Sequence, residues 1–240
     1  MKCLAFGNNV CGNLDPALPS TVVSPTEIPY AEILWHGWTC TVARAERGVR
    51  VWGMGKFEIS GSVKKVLGHD EPVGYLDADS RVTFSAATSQ SSWDDVTVPG
   101  VGGYYACRGR DLYHFSSLDV DCQGTRLNHA LLTDNLSLYS MESRVFVFSR
   151  HGAGHLFEAI PELRLVEDLE GLGIMHVVPG YKNRIAVLTT SGDAYIIDTR
   201  SARPKLVEKE NVKLIGLGAD FDIVVNDKIW GGRRPQTLQN

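Results

Sequence analysis

No stretch of the 240 residues approaches the roughly 18 consecutive apolar residues of a membrane-spanning helix, and Met1-Lys2-Cys3-Leu4 leads into glycine and asparagine rather than a secretory apolar region. A soluble, intracellular protein is the expectation. The five cysteines, Cys3, Cys11, Cys40, Cys107 and Cys122, are odd in number and form no C-x-x-C pair. That argues against a disulfide framework and a zinc site and for reduced, mostly buried thiols. Basic charge is scarce: 24 Lys and Arg stand against 28 Asp and Glu, a net charge of −4, with a basic cluster, Arg233-Arg234, beside the C-terminus. Nucleic-acid binders carry a basic stripe, so direct DNA or RNA binding is not expected. Long helical periodicity is lacking too. Residues 163–172 space their apolar residues too evenly to choose helix over strand, and Gly171 and Gly173 close the segment.

What is present is a phrase of β-forming residues, an aromatic or Ile, then a small or turn-forming residue. It returns seven times with Phe6, Trp52, Phe84, Phe115, Phe148, Ile197 and Trp230 as the register. The intervals fit a repeat architecture of one supersecondary unit per repeat. Upstream of most copies lies a second apolar run ended by a polar turn. Examples are Tyr104-Tyr105-Ala106-Cys107 before Gly109-Arg110-Asp111, and Arg184-Ile185-Ala186-Val187-Leu188 before Ser191-Gly192-Asp193. Thr39 to Ala43 before Arg47-Gly48 and Phe221 to Val225 before Asn226-Asp227 repeat the form. Strand, Gly/Asn/Asp turn, strand is a β-hairpin.

Repeated antiparallel hairpins must hide their edges, and a propeller does so radially. The expectation is one all-β domain over residues 1–240, a seven-bladed β-propeller. Residues 2–7 would close the ring by pairing with the C-terminal hairpin. If residues 81–85 form only an outer strand, six blades remain. Residues 73–92 read poorly as either a blade or a long loop.

The segment Leu4-Ala5-Phe6-Gly7-Asn8-Asn9-Val10-Cys11-Gly12-Asn13-Leu14 resembles the strand-loop signature of the regulator of chromosome condensation repeat family. Asn13 replaces the usual glutamine, and Asp15 stands where the last glycine would be. A partial copy is Phe148-Ser149-Arg150-His151-Gly152-Ala153-Gly154-His155-Leu156. The family's Gly-x-x-His-Thr strand start is eroded to Gly37-Trp38-Thr39, Gly102-Gly103-Tyr104, Gly180-Tyr181-Lys182-Asn183 and Gly218-Ala219-Asp220-Phe221. The resemblance implies a seven-bladed propeller with strand exchange between first and last blades, and the short repeats leave room for three-stranded blades.

Compactness is similar to the alpha-tubulin suppressor branch. That likeness implies a non-enzymatic, cytoplasmic and nuclear scaffold, monomer or heterodimer, without cofactor. Its partner would be a small zinc protein that donates electrons for diphthamide formation and supports Elongator-dependent tRNA wobble-uridine modification. The founding members of the family imply the alternative, a nuclear regulator that exchanges nucleotide on a small GTPase or escorts a chromatin enzyme.

Catalytic readings fare worse than plain ones. The His151 and His155 pair surrounds two glycines and reads as a loop, and residues 100–103 read as turn glycines. Cys40, Cys107 and Cys122 lie in or beside apolar strands, where a thiol is a small hydrophobe. Asp94 and Asp95 would point to opposite faces of a strand, whereas Asp119 and Asp121 would share one face of a solvated outer strand. No catalytic residue and no metal site is expected. The register aromatics are expected to pack between blades. Off that register, Trp35, Trp38, Trp93, Tyr104, Tyr181 and Phe221 stand near strand starts marked by glycine. Aromatics beside charge make protein-binding surfaces, so the expected partner-binding residues are Trp38, Tyr104, Tyr181, Lys182, Asp220 and Phe221.

Overall fold

The computed structural model describes all residues except 1–2, 29–31, 38, 47, 86, 135, 142–143, 150–153, 160–162, 181–183, 199–202, 219–220 and 234–240, and leaves out the side chains of 3, 4, 6, 7, 25, 141, 221, 232 and 233. The described residues form strands with a single 3-10 turn, Glu167–Leu169. No described helix is long and apolar enough to cross a membrane.

The strands follow one another in antiparallel sheets. The first sheet pairs β1 (Cys3–Asn8) with β2 (Thr21–Ile28). The second is β3 (Glu32–His36), β4 (Cys40–Ala45) and β5 (Gly48–Gly53); the third is β6 (Val63–Gly68), β7 (Pro72–Asp77), β8 (Arg81–Phe84) and β9 (Ala87–Ser92). The fourth is β10 (Asp95–Thr97), β11 (Tyr104–Arg108), β12 (Asp111–Phe115) and β13 (Thr125–Leu127). The fifth is β14 (Leu136–Met141), β15 (Arg144–Ser149), β16 (His155–Ala159) and β17 (Leu163–Leu165). The sixth is β18 (Ile174–Gly180), β19 (Arg184–Thr189), β20 (Ala194–Asp198) and β21 (Pro204–Leu206); the last is β22 (Leu214–Leu217), β23 (Phe221–Val225) and β24 (Ile229–Arg233).

An up-and-down meander repeated in sequence order is the blade pattern of a β-propeller. Among the described residues six sheets of three or four strands carry it, and the β1–β2 sheet has two. Six blades, the alternative count, is therefore the observed one, though for a different reason than expected. Residues 81–84 are the third strand of a full blade, and it is the Phe6 phrase that lacks a blade of its own. The closing pairing of residues 2–7 with the C-terminal hairpin falls partly outside the described residues; the described ladders pair β1 with β2 and β24 with β23.

All four expected hairpins are present as β4–β5, β11–β12, β19–β20 and β23–β24. One register assignment is corrected. Phe148 lies in β15, the second strand of its blade, and the third strand is β16, which carries Phe157. Second strands are flanked on both edges and both faces, so β15 and β19 are almost wholly buried. The chain clusters into two compact units, Met1–Ala106 with Phe115–Gly124, and Cys107–His114 with Thr125–Asn240.

The first unit has a core of Val42, Val63, Val66 and Tyr75 against Trp35, Val49, Val51, Phe57 and Ile59. A second cluster joins Ala5, Ile28 and Ala43 to Leu14, Leu18 and Trp52. An aromatic stack completes the unit. Tyr104 lies flat on Phe115 with centroids 4.2 Å apart and an interplanar angle of 3°. Phe84 leans on Tyr104 at 5.1 Å, and Trp93 meets Phe115 edge-on at 5.5 Å. In the second unit, Phe146, Phe148, Leu156, Ile185, Val187 and Ile197 fill the space between the fifth and sixth sheets, and Ala186, Leu188, Val212, Ile215 and Val224 the space between the sixth and seventh.

Candidate partner-binding loops

The loop after β1 shows why its signature takes an asparagine. Asn9 is 3% exposed, and its Nδ2 donates to the carbonyls of Asp15 (2.8 Å), Leu18 (3.2 Å) and Pro19 (3.2 Å). Its Oδ1 accepts from the backbone N–H groups of Leu14 (2.9 Å) and Asp15 (3.4 Å). One side chain thus satisfies backbone groups that a loop cannot pair for itself. Asn9→Ala should cost about 1 to 3 kcal/mol by stranding those groups. Asn9→Asp should not restore the loss, because a carboxylate cannot donate to three carbonyls. Chemical denaturation of the two variants checks this.

The same loop reaches the connection from β3 to β4. Asn13, at the family's glutamine position, donates to the Gly37 carbonyl at 3.4 Å, and the Gly37 N–H donates to the Cys40 carbonyl at 3.0 Å. Gly37 must be glycine: a Cβ there would lie 2.2 Å from the Trp35 indole. Trp38, which follows, lies outside the described residues. In the connection from β10 to β11, Gly103 has φ +83°, and a Cβ would stand 1.9 Å from the Phe115 carbonyl oxygen. The turn thereby delivers Tyr104 inward. Tyr104 is 1% exposed, which corrects its assignment as a partner-binding residue: it begins a second strand, and such strands are covered on both sides. Burial first, then the nearby Cys122 and Asp119, push its phenol up to about 12.

In the second unit the connections from β18 to β19 and from β22 to β23 are locked together at their feet. Arg184 opens β19 and donates bidentately to Asp222 of β23, Nη1 to Oδ1 at 2.7 Å and Nη2 to Oδ2 at 2.5 Å. Their side chains are 10% and 20% exposed. Leu217 fills the space over Gly180, where a Cβ would come within 2.3 Å of it. A comparable clamp joins Arg144 of β15 bidentately to Glu158 of β16. Tyr181, Lys182 and Asp220 lie outside the described residues, as does the side chain of Phe221. The backbone of Phe221 is described and pairs with Arg233 in β23–β24.

These clamps were missed in the sequence, although a signal was there: an arginine opening a fully buried apolar run, in Arg144-Val145-Phe146 and Arg184-Ile185-Ala186. Other assignments shift as well. Trp52 is half-buried, and Trp230 is 40% exposed with Lys209 Nζ 3.9 Å over its ring, so Trp230 is not an inter-blade core residue. Trp35 and Trp93 belong to the packed interior of the first unit. Cys40 and Cys107 are buried, but Cys11 and Cys122 are only half-buried. Asp119 and Asp121 sit in the loop after β12 rather than on an outer strand, with Asp119 Oδ1 accepting from the Asp121 N–H at 3.0 Å. Among the described residues no group of three or more His, Cys, Asp or Glu is placed to hold a metal ion.

No protein-family model matches the chain, and no curated protein matches its sequence. Solved structures do match. Human WBSCR16 is 11% identical with a TM-score of 0.63, covering 93% of this chain and 81% of that one. Yeast RCC1 (Prp20), solved with Kap60 bound, is 12% identical with a TM-score of 0.63, covering 96% and 79%. The computationally designed Ika8 protein is 12% identical with a TM-score of 0.52, covering 97% and 95%. At these identities the likeness establishes the fold, an RCC1-like β-propeller.

Proposed function

We propose that the chain is a non-enzymatic scaffold that grips a protein partner through the connections between first and second strands of its blades. The observation that carries the reading is the Arg184–Asp222 clamp with Leu217 over Gly180. It fixes the feet of two neighbouring loops whose sequences, Tyr181-Lys182-Asn183 and Ala219-Asp220, combine an aromatic with both signs of charge. Fixed anchor points on either side of a binding segment reduce the freedom to be lost on binding, which favours affinity. Yeast RCC1 was solved with a protein bound, which supports a protein as the partner class.

The resemblance to the alpha-tubulin suppressor type names the partner as a small zinc protein serving diphthamide formation and tRNA modification, with the complex in cytoplasm and nucleus. The likeness to RCC1 favours a second reading, nucleotide exchange on a small GTPase. Affinity capture of the tagged chain with mass spectrometry, run beside a GDP-release assay on the nuclear GTPase, separates them. Copurified zinc protein without GDP release supports the first; accelerated release supports the second. Trp38→Ala and Tyr181→Ala should each weaken the captured partner by about 1 to 2 kcal/mol with melting temperatures unchanged. Unaltered affinity in both variants would place the interface elsewhere.

A further inference from the structure

We infer that the loops around Val10 and Met54 in the first unit form a docking surface for a basic segment of a partner protein, one that carries apolar side chains among its lysines or arginines. Val10, in the loop after β1, and Met54, in the segment after β5, are each 72% exposed. Neither is exposed because its backbone is loose. The Val10 N–H donates to Asn8 Oδ1 at 2.9 Å, and the Gly12 N–H closes the turn on the Asn9 carbonyl at 2.9 Å. The Met54 N–H donates to the Thr39 carbonyl at 3.0 Å, directly after Gly53, where φ is +102° and a Cβ would stand 2.2 Å from that same oxygen. A side chain left in solvent on a fixed backbone has little backbone freedom to lose on binding, and methionine adapts to varied apolar partners.

The segments that carry these residues are joined. Asn13 Nδ2 reaches the Gly37 carbonyl at 3.4 Å, and Leu14, Leu18 and Trp52 share one apolar cluster, with Trp52 two residues before Met54. The connection from β6 to β7 comes alongside, since a Cβ on Gly37 would lie 3.0 Å from the Asp70 carbonyl oxygen. All of these residues belong to the first compact unit. Their charge is nearly of one sign. Residues 9–20, 36–39, 54–62 and 68–72 carry Asp15, Glu58, Asp70 and Glu71 against Lys56, with no arginine. Glu58, Asp70 and Glu71 are exposed, Asp70 with 93% of its side chain in solvent.

Charge complementarity selects the occupant. Val10 and Met54 offer apolar contact to any partner, whereas the carboxylates around them repel an acidic segment and steer a basic one to the surface. Phosphate backbones are repelled in the same way, which leaves a protein segment rather than a nucleic acid. Lysine and arginine suit the mixture: their stems cover apolar surface while their heads reach carboxylates. The inference deepens the proposed function and rests on it only in taking the partner to be a protein.

The test titrates the full chain with the synthetic peptide Lys-Leu-Lys-Lys-Leu-Lys, so its failure is distinct from a failure of the captured-partner experiments. Saturable binding is expected, lost with glutamate in place of every lysine and weakened at least about tenfold with serine in place of both leucines. Val10→Ser/Met54→Ser and Asp70→Asn/Glu71→Gln should each weaken the peptide about five- to tenfold at an unchanged melting temperature, because all four side chains stand in solvent. Glu167→Gln/Asp168→Asn, which removes exposed acids from the second unit, should bind as the unmodified chain does. Equal weakening by that control would mean indiscriminate charge attraction and would overturn the inference. So would absent binding, or serine and leucine peptides that bind alike. Hydroxyl-radical oxidation of Met54 gives an independent check. Fast oxidation in the free chain, slowed by the peptide, is expected; slow oxidation in the free chain would overturn the inference, since the chain's own residues would then cover the surface.

Discussion

Tyr104→Ala should lower the stability of the chain by about 3 to 5 kcal/mol, the range for truncating a large buried ring. The side chain is 1% exposed, lies flat on Phe115 at 4.2 Å and is covered by Phe84 at 5.1 Å, so its loss opens a cavity inside an aromatic stack. Tyr104→Phe keeps the stack and should cost far less. The two variants also separate at high pH. The phenol is pushed up to about 12, mainly by burial, whereas in the unfolded chain it ionises near its ordinary value of about 10. Below pH 10 both states keep the proton and the difference is silent. From about pH 10 to 12 only the unfolded chain gains by ionising, so stability falls by about 1.4 kcal/mol per pH unit from this group. Tyr104→Phe should remove that slope. Tyr105, also raised by burial, retains its own share in both proteins. Denaturant titrations at pH 8, 10, 11 and 12 check both halves.

Arg184→Met should cost about 3 to 5 kcal/mol, because it leaves the Asp222 carboxylate largely buried without its partner. The doubly substituted Arg184→Met/Asp222→Leu should recover most of that loss, since the apolar pair has no charge to strand. The recovery is what distinguishes a buried ion pair from a surface one, whose removal is worth at most about 1 kcal/mol. Partner affinity is expected to behave differently. Methionine and leucine can fill the volume but lack the bidentate geometry that orients the feet of the two loops, so the double variant should be stable and still bind poorly. Melting curves beside affinity measurements on the single and double variants resolve the two effects.

The hairpins were legible in the sequence because each pairs an apolar run with a Gly, Asn or Asp turn. Gly192 at φ +87° shows the backbone reason. Second strands read as unbroken apolar runs because both of their faces are covered, as in Arg184–Thr189. The same fact hid two things. Arg144–Ser149 reads aromatic-apolar-aromatic and looks like a third strand. The true third strand, His155–Ala159, is disguised by Glu158, whose charge is neutralised by Arg144 across the sheet. Tyr104 follows a glycine-rich turn and looks like a loop residue, but Gly103 admits the chain so close to Phe115 that the ring is turned inward. Trp230 repeats the register of Phe84 in sequence, but its strand is the last of the three that its sheet has among the described residues, and the ring is 40% exposed. Sequence repetition reports strand order, and burial depends on what lies beside the strand. The arginine that opens a buried run could be read, but its partner could not: Asp222 stands 38 positions from Arg184.

The most direct measurement of the partner-binding account is hydrogen–deuterium exchange on the complex recovered by affinity capture, compared with the free chain. Slowed exchange is expected in the first-to-second-strand connections, residues 37–39, 180–184 and 217–222. The turns between second and third strands, residues 190–192 and 226–228, should exchange as in the free chain. Protection confined to those turns, with the first-to-second-strand connections unchanged, would contradict the account.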